Sequence, residues 1–441
     1  MRLSYSRKLS EAGGHLIFMT IITAAVIGVA LIAYLNVITT QNNFNARSQV
    51  WNLCMPIVEA GLEEGLAHIN NPGVTNFAAQ GWTWNASGSA FTKQRTIGTS
   101  YYIANIQTNV ANGPSITCTG WVVAPVTVAR GRNPLAANMP APGVSYISRT
   151  VKVSTARLPQ LSKAIVVKNN INFNGNNALI DSYNSAGGAY KFSAASGDKG
   201  DVTADNDAIG NDVSGNASIK GHLATGPKAT LKMGPNSVVG SAAWYAGGNK
   251  GIQAGWFRKD ANVAIPDVQN PWTFGTGTNA NSTAGGSYKW TLGAGNYEIN
   301  GNATVASTEI VYLTGTAKLW IKGDFTLNGK IKVQGANQKL TIYLSGNGTL
   351  GGNLDSKIDP TDLIIYGLPT CTTLKITSGS DLEAVIYAPE ADLSLIGTAE
   401  FMGSLTVNSL AMGGNTGIHY DENLANYPVY LGYVISSWQE L

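Results

Sequence analysis

The strongest pattern in the chain is an apolar stretch from Leu16 to Leu35, interrupted only by Thr20 and Thr23. At helical rise it is long enough to span a bilayer, which takes roughly 20 residues. A helical period follows: Phe44, Trp51, Met55, Val58, Leu62, Leu66 and Ile69 fall on one face. The helix is expected to stop at Asn70-Asn71-Pro72-Gly73, because proline pushes the preceding residue out of the α region. Pro56 is expected to kink the helix or break it locally.

Beyond the helix the period changes to that of strands. Ser100 to Thr108, Ser115 to Val123 and Ser148 to Ala156 are rich in β-branched and aromatic residues, with Gly, Pro and Asn between them. They predict a small antiparallel sheet, with Trp82, Trp84 and Trp121 as core and rim residues and the loop Gly131 to Gly143 exposed.

The distal half repeats. Leu319 to Lys322, Leu340 to Tyr343, Leu363 to Tyr366, Ala384 to Tyr387 and Ser404 to Val407 recur at a step of about 20 residues, within the solenoid range. A second series, Ile310 to Leu313, Ile331 to Val333, Leu374 to Ile376 and Leu393 to Leu395, keeps a similar step with one member missing. Two matched series predict stacked coils, as in a parallel β-helix, with a β-sandwich as the alternative. The same texture begins at Ala164 to Val167 and lapses between Trp244 and Trp290. That interval is Gly-rich and holds Trp244, Trp256, Trp272 and Trp290, which are candidates for glycan or partner contact or for plugging the solenoid. Tyr427 to Trp438 reads as a last strand or cap.

Composition narrows the function. An apolar fraction of 44% in 441 residues is ample for a core, while charged residues make up only 12%. The formal charge of +3 forms no basic stripe, so no nucleic-acid surface is expected. Cys54, Cys118 and Cys371 leave at least one thiol unpaired and have no zinc or haem spacing; a Cys54–Cys118 disulfide is open to them. Arg2, Arg7 and Lys8 precede the apolar run and no charge appears between Glu11 and Arg47. The positive-inside rule therefore leaves the N-terminus cytoplasmic and the remainder outside.

The basic leader, Gly13-Gly14, the apolar span and the amphipathic extension resemble the N-terminus of type IV pilins and pseudopilins. The stretch Trp51 to Glu64 is similar to the minor-pilin group that includes PilX-type assembly proteins. The resemblance implies a sheet laid on the second half of the helix. It also implies cleavage by a prepilin peptidase between Gly14 and His15, and packing of the apolar helix among other pilin-like subunits. Met19 departs from the pattern, because most pilins carry a glutamate there; a minor or tip subunit, or an uncleaved anchor, fits better than a bulk subunit. Asp181 to Ser185, Val385 to Pro389 and Gly417 to Glu422 resemble an uncharacterised exported domain that follows such N-termini and brings no known activity.

Enzymatic readings have their own candidates. Asp355, Asp359, Asp362, Asp381 and Glu383 are the carboxylates a polysaccharide-active β-helix would use, though turns also favour aspartate. Asp201, Asp205, Asp207 and Asp212 offer oxygen ligands for Ca²⁺ without EF-hand spacing, and solvated turns are preferred. His15, His68, His222 and His419 are scattered, and each is read as structural or solvated, His68 pairing with Glu64 on the helix surface. No Walker loop or GxSxG appears, and Gly187-Gly188 and Gly247-Gly248 lack nucleotide-site context.

The expected protein is mainly β with a long N-terminal helix. It runs as a basic leader (1–14), a transmembrane and amphipathic helix (15–71), a small antiparallel unit (72–160), a first part of a solenoid (161–243), an excursion (244–290), the main solenoid (291–424) and a C-terminal strand or cap (425–441). It is expected to be non-enzymatic, without cofactor or metal, anchored in an inner membrane and exported, possessing the membrane, pilin-like subunits, and surface glycans or envelope proteins as partners. A membrane-tethered polysaccharide-active enzyme and a static envelope scaffold are the alternatives.

Overall fold

The computed structural model describes residues 8–70, 76–110, 113–124, 145–188, 190, 196–205, 211–263, 265–284, 286–335, 338–352, 359–377, 381–427 and 430–441. Two units divide the chain, Met1–Leu158 with Gly432–Leu441, and Pro159–Leu431. The protein is mostly β, with one long N-terminal helix, an antiparallel sheet and a many-stranded parallel sheet.

In the first unit the apolar run and the amphipathic stretch form a single helix, Lys8–Asn70, of 63 residues, about 95 Å long at 1.5 Å per residue. Its apolar window has a mean hydropathy of 2.7, is exposed throughout and is long and apolar enough to cross a membrane. The expected break at Pro56 does not occur. Pro56 and Asn52, whose carbonyl loses its partner, both face solvent, while Cys54 and Val58 on the other side are held against the sheet. Asn71, Pro72 and Gly73, where the stop was expected, lie outside the described residues, as does the loop Gly131 to Gly143.

The sheet runs Thr83–Asn85, Ala90–Ile97, Ser100–Gln107, Ser115–Val123, Tyr146–Pro159, Tyr430–Glu440, antiparallel across its first five strands. The helix packs on the strands Ser100–Gln107 and Ser115–Val123. Gly61 and Gly65 make that approach close. A Cβ at Gly61 would stand 2.7 Å from Tyr102 Cδ2, and one at Gly65 would stand 2.9 Å from Ile116 Cγ2. Val58, Leu62 and Ile69 are buried as the pattern predicts, but Phe44 and Trp51 are exposed. The covered face follows Val50, Cys54, Val58 and the two glycines, one position round from Trp51. The Arg149 guanidinium instead lies 3.8 Å from the Trp51 ring centroid.

Two sequence readings in this unit need correction. His68 is buried, its ring 4.3 Å from Phe77 and 5.5 Å from Trp82, and Glu64 turns instead to Lys93 and to the Tyr102 hydroxyl. Cys54 and Cys118 do not pair: all three cysteines are buried free thiols. Cys118 faces Gly61 and Cys54 faces Gly120, and seven helical residues separate those places by about 10 Å. Of the two readings of the C-terminal segment, last strand or cap, the structure has the strand: Tyr430–Glu440 lies sixth in the sheet, beside Tyr146–Pro159.

In the second unit the repeated segments pair in parallel. Gly295–Ile299 lies beside Ala317–Ile321, followed by Leu340–Leu344, Leu363–Gly367, Asp381–Gly397 and Glu400–Gly414. A second ladder joins Ala303–Val305, Phe325–Leu327, Gly348–Leu350 and Thr373–Ile376, and reaches the same long strand Asp381–Gly397. A third joins Trp290–Leu292, Ile310–Leu313 and Lys330–Val333. The series read from the sequence as Ile310, Ile331, Leu374 and Leu393 therefore mixes two ladders, whose residues share a step but not a sheet. Alternate residues such as Leu319, Ile342, Ile365, Ile386 and Leu405 point inward and form a continuous buried core.

The stacking order is not the chain order. Beyond Glu400–Gly414 lie the unit's first strands, Ile165–Val167 and Ile171–Tyr183, then Val202–Ala204, Leu223–Thr225 and Phe257–Arg258. Parallel pairing on this side therefore extends past Trp244 to Phe257–Arg258. The described residues between Arg258 and Trp290 return along the sheet, where Thr278–Asn279 pairs with Gly295–Ile299. On the way, Tyr387 donates to the Pro266 carbonyl at 2.7 Å, and Trp272 meets Trp320 and Tyr343 edge-on at 5.8 and 6.0 Å. The Glu298 carboxylate accepts from Trp272 Nε1 and from the Gly275 and Gly277 amides at 2.5, 2.8 and 3.0 Å.

Candidate binding site

Parallel register builds the site. Val202, Leu223 and Phe257 are paired neighbours, so the residues before them, Asp201, His222 and Trp256, form one row, with neighbouring strands roughly 4.8 Å apart. Two residues further along, Thr203, Ala224 and Arg258 form a second row on the same face. Asp201 Oδ1 accepts from the His222 amide at 2.8 Å and lies 3.2 Å from its Nδ1, which sets the imidazole 4.3 Å from the Trp256 ring with 5° between the planes. Ala224 is too short to fill the space between its neighbours. The result is a cavity of 340 Å³ lined by Lys163, Asp201, Thr203, His222, Trp256 and Arg258 among others, at the lower end of the range for ligand sites, roughly 300–1,000 Å³.

The cavity is mildly cationic. The Lys163 amine donates to Thr203 Oγ1 at 2.7 Å. Burial, with the Arg258 guanidinium adding to it, holds this amine below the usual lysine range against the pull of Asp201 and Asp205. Arg258 has an exposed partner, Asp260, at 3.5 Å.

Of the four tryptophans singled out from the sequence, only Trp256 lines this cavity. Trp290 is 2% exposed and belongs to the core, which removes it from the contact residues. Trp272 is held by Glu298 and the ring edges of the sheet, and Trp244 sits half-buried in the short helix Ala242–Ala246, whose N-cap is Ser241. Gly14 lies in the helix, and His15 is exposed on it. Sequence reasoning missed Lys163 and Arg258, and placed Asp201 and His222 apart. The four sites of the chain meet only once the register is known. Of the carboxylates considered for Ca²⁺, Asp201 accepts from His222, and Asp205 accepts from the Val263 amide at 2.9 Å. Asp207 and the side chain of Asp212 lie outside the described residues.

Two clusters of titratable groups lie elsewhere in this unit. His419 is fully buried, with Nδ1 2.6 Å from Asp181 and Nε2 2.9 Å from Glu400. Tyr190 stacks on its ring at 3.7 Å and donates to Asp181, and Lys220 stands 3.8 Å from the same carboxylate. Burial works against the imidazolium, but the two carboxylates outweigh it and raise the His419 pKa. The cluster ties neighbouring strands together around a fully buried imidazole. In the second cluster the half-buried Glu383 is pushed up to about 7 by burial and by Asp381, Asp359, Asp421 and Asp362. Asp359 and Asp362 are also bound to a structural task, the capping box of the short helix Pro360–Asp362. Asp355 lies outside the described residues.

None of the curated proteins matches the chain. Among solved structures it is similar to the DUF3494 domain of an ice-binding protein from Shewanella frigidimarina, at 13% identity over 60% of this chain and 98% of that one, with a TM-score of 0.24. It is also similar to the competence-associated pilin ComZ from Thermus thermophilus, at 9% identity over 89% and 98%, with a TM-score of 0.19. A family model described as a domain of unknown function (DUF7305) matches residues 273–427, all within the second unit, and names no activity.

Proposed function

We propose that the chain is a non-enzymatic, membrane-anchored, pilin-like protein, a minor or tip subunit of a pilus or related filament, whose second unit is a parallel β-solenoid displayed for surface attachment. The helix Lys8–Asn70 carries this reading. Its first half is apolar and exposed from Leu16 to Leu35, while Cys54, Val58, Leu62 and Ile69 in its second half are buried under an antiparallel sheet. A surface of that kind needs bilayer or neighbouring helices around it. The parallel ladders favour the solenoid over a sandwich, in which the strands would pair antiparallel. The proposed partners are the membrane, other pilin-like subunits and a prepilin peptidase. Mass spectrometry of the mature N-terminus tests the reading. A chain that starts at His15 is expected, and an intact Met1 sinks the processed-subunit proposal.

A second reading, a membrane-tethered polysaccharide-active enzyme, rests on Glu383, whose raised pKa suits a general acid near neutral pH. Release of reducing ends from polysaccharides, abolished by Glu383→Gln, would be required of it; a parent protein without such activity ends it.

A further inference from the structure

We infer that the cavity beside Trp256 binds a carboxylated sugar, with the carboxylate between Lys163 and Arg258 and the sugar ring against the rings of Trp256 and His222. The inference deepens the attachment reading above and rests on it for the display of this unit outside the cell.

The chemistry follows from what each lining residue is already doing. Asp201 lines the cavity, and its Oδ1 is already engaged by the His222 amide and imidazole. Lys163 donates to the Thr203 hydroxyl and, among the described residues, has no carboxylate within ion-pair distance, Asp201 and Asp205 acting on it from further away. Among the described residues Arg258 pairs with Asp260 alone, across 3.5 Å with both side chains exposed, a weak pair that a ligand carboxylate can replace. Two cations on one small cavity repel each other, and an anion between them relieves that repulsion. Arginine suits a planar carboxylate because its N–H groups match both oxygens. The flat His222 and Trp256 pair supplies what a simple anion would not use, an aromatic wall for the C–H face of a sugar ring. Ala224 keeps the floor low enough for that ring to enter. With two cations and no basic stripe beyond them, a polyanionic nucleic acid is a poor match.

The test uses the full-length protein in lipid nanodiscs, titrated by isothermal calorimetry with trigalacturonate, its methyl ester and neutral maltotriose. Saturable binding of trigalacturonate is expected, weakened at least tenfold by methyl esterification and absent with maltotriose. Arg258→Gln removes one cation at an exposed position, and Ala224→Leu fills the hollow while leaving both cations in place; each is expected to weaken binding at least tenfold with the unfolding midpoint unchanged for Arg258→Gln. Failure of trigalacturonate to saturate, equal affinity for the ester, or unchanged binding in a folded Arg258→Gln protein overturns the inference. The N-terminal mass of the same preparation reads the anchor separately. Binding by a protein with an intact Met1 keeps the site and removes the processed subunit, whereas a His15 start without binding does the reverse.

Discussion

His419 and Asp181, 238 residues apart in sequence, meet at 2.6 Å in the interior, where neighbouring strands Gly417–Asp421 and Ile171–Tyr183 bring them into register. Their contact joins the latest and one of the earliest strands of the parallel sheet.

The pair predicts a pH dependence. The folded pKa of His419 is raised above its unfolded value of about 6.5. Its contribution to stability is therefore complete below that unfolded value and is lost as pH rises through the folded pKa. Thermal unfolding of the second unit is expected to fall over that window in the parent protein, and His419→Gln should remove this part of the slope. Asp181→Asn, which leaves a buried imidazolium with one carboxylate fewer, should cost about 3 kcal/mol at pH 6 in chemical denaturation.

The closeness of helix and sheet predicts a contrast between two glycines of one helix. Gly61→Val must push the helix off Tyr102 and should destabilise the first unit by about 1–3 kcal/mol. Gly28→Ala meets no atom within 4 Å and should leave the unfolding transition of that unit unchanged.

Glu298 predicts the behaviour of the returning segment. Its donors hold the carboxyl below the usual range even though burial pulls the other way. The stabilisation is present above the unfolded pKa of about 4.5 and is lost as pH falls through the folded one. Glu298→Gln should cost about 1–3 kcal/mol and speed proteolytic cleavage between residues 259 and 277.

The thiols predict a simple titration. Burial pushes Cys118 and Cys371 up to about 12, so iodoacetamide should leave the native protein unlabelled. Three equivalents should react after unfolding without reductant, and a single equivalent would mean that two cysteines are bridged.

How much of this was legible depended on whether the signal was local. The apolar run to Leu35 and the strands Ser100–Gln107 and Ser115–Val123 could be read because period and turn residues are properties of short windows. The face of the helix was read one position off, since Trp51 looks like core while the residues that set the contact, Gly61 and Gly65, have no side chain to count. The cavity was read only through Trp256. Lys163, Asp201, His222 and Arg258 come together through a register between strands 20 to 40 residues apart, and no spacing rule connects them. His419 could be read only as a packed or solvated structural residue near Asp421 and Glu422, because its partners Asp181 and Glu400 come from other strands.

The insertion of Ile165–Val167 between Val202–Ala204 and Glu400–Gly414 has a consequence for biogenesis. A chain that crosses a membrane from its N-terminus delivers residue 165 early and residue 407 late. One edge of the earliest strand must then stay open until more than 200 further residues have arrived, and pairings this distant form slowly. Under the proposed export, completion of the sheet is timed to the end of translocation, and until then the exposed edge is the place where a chaperone would be needed.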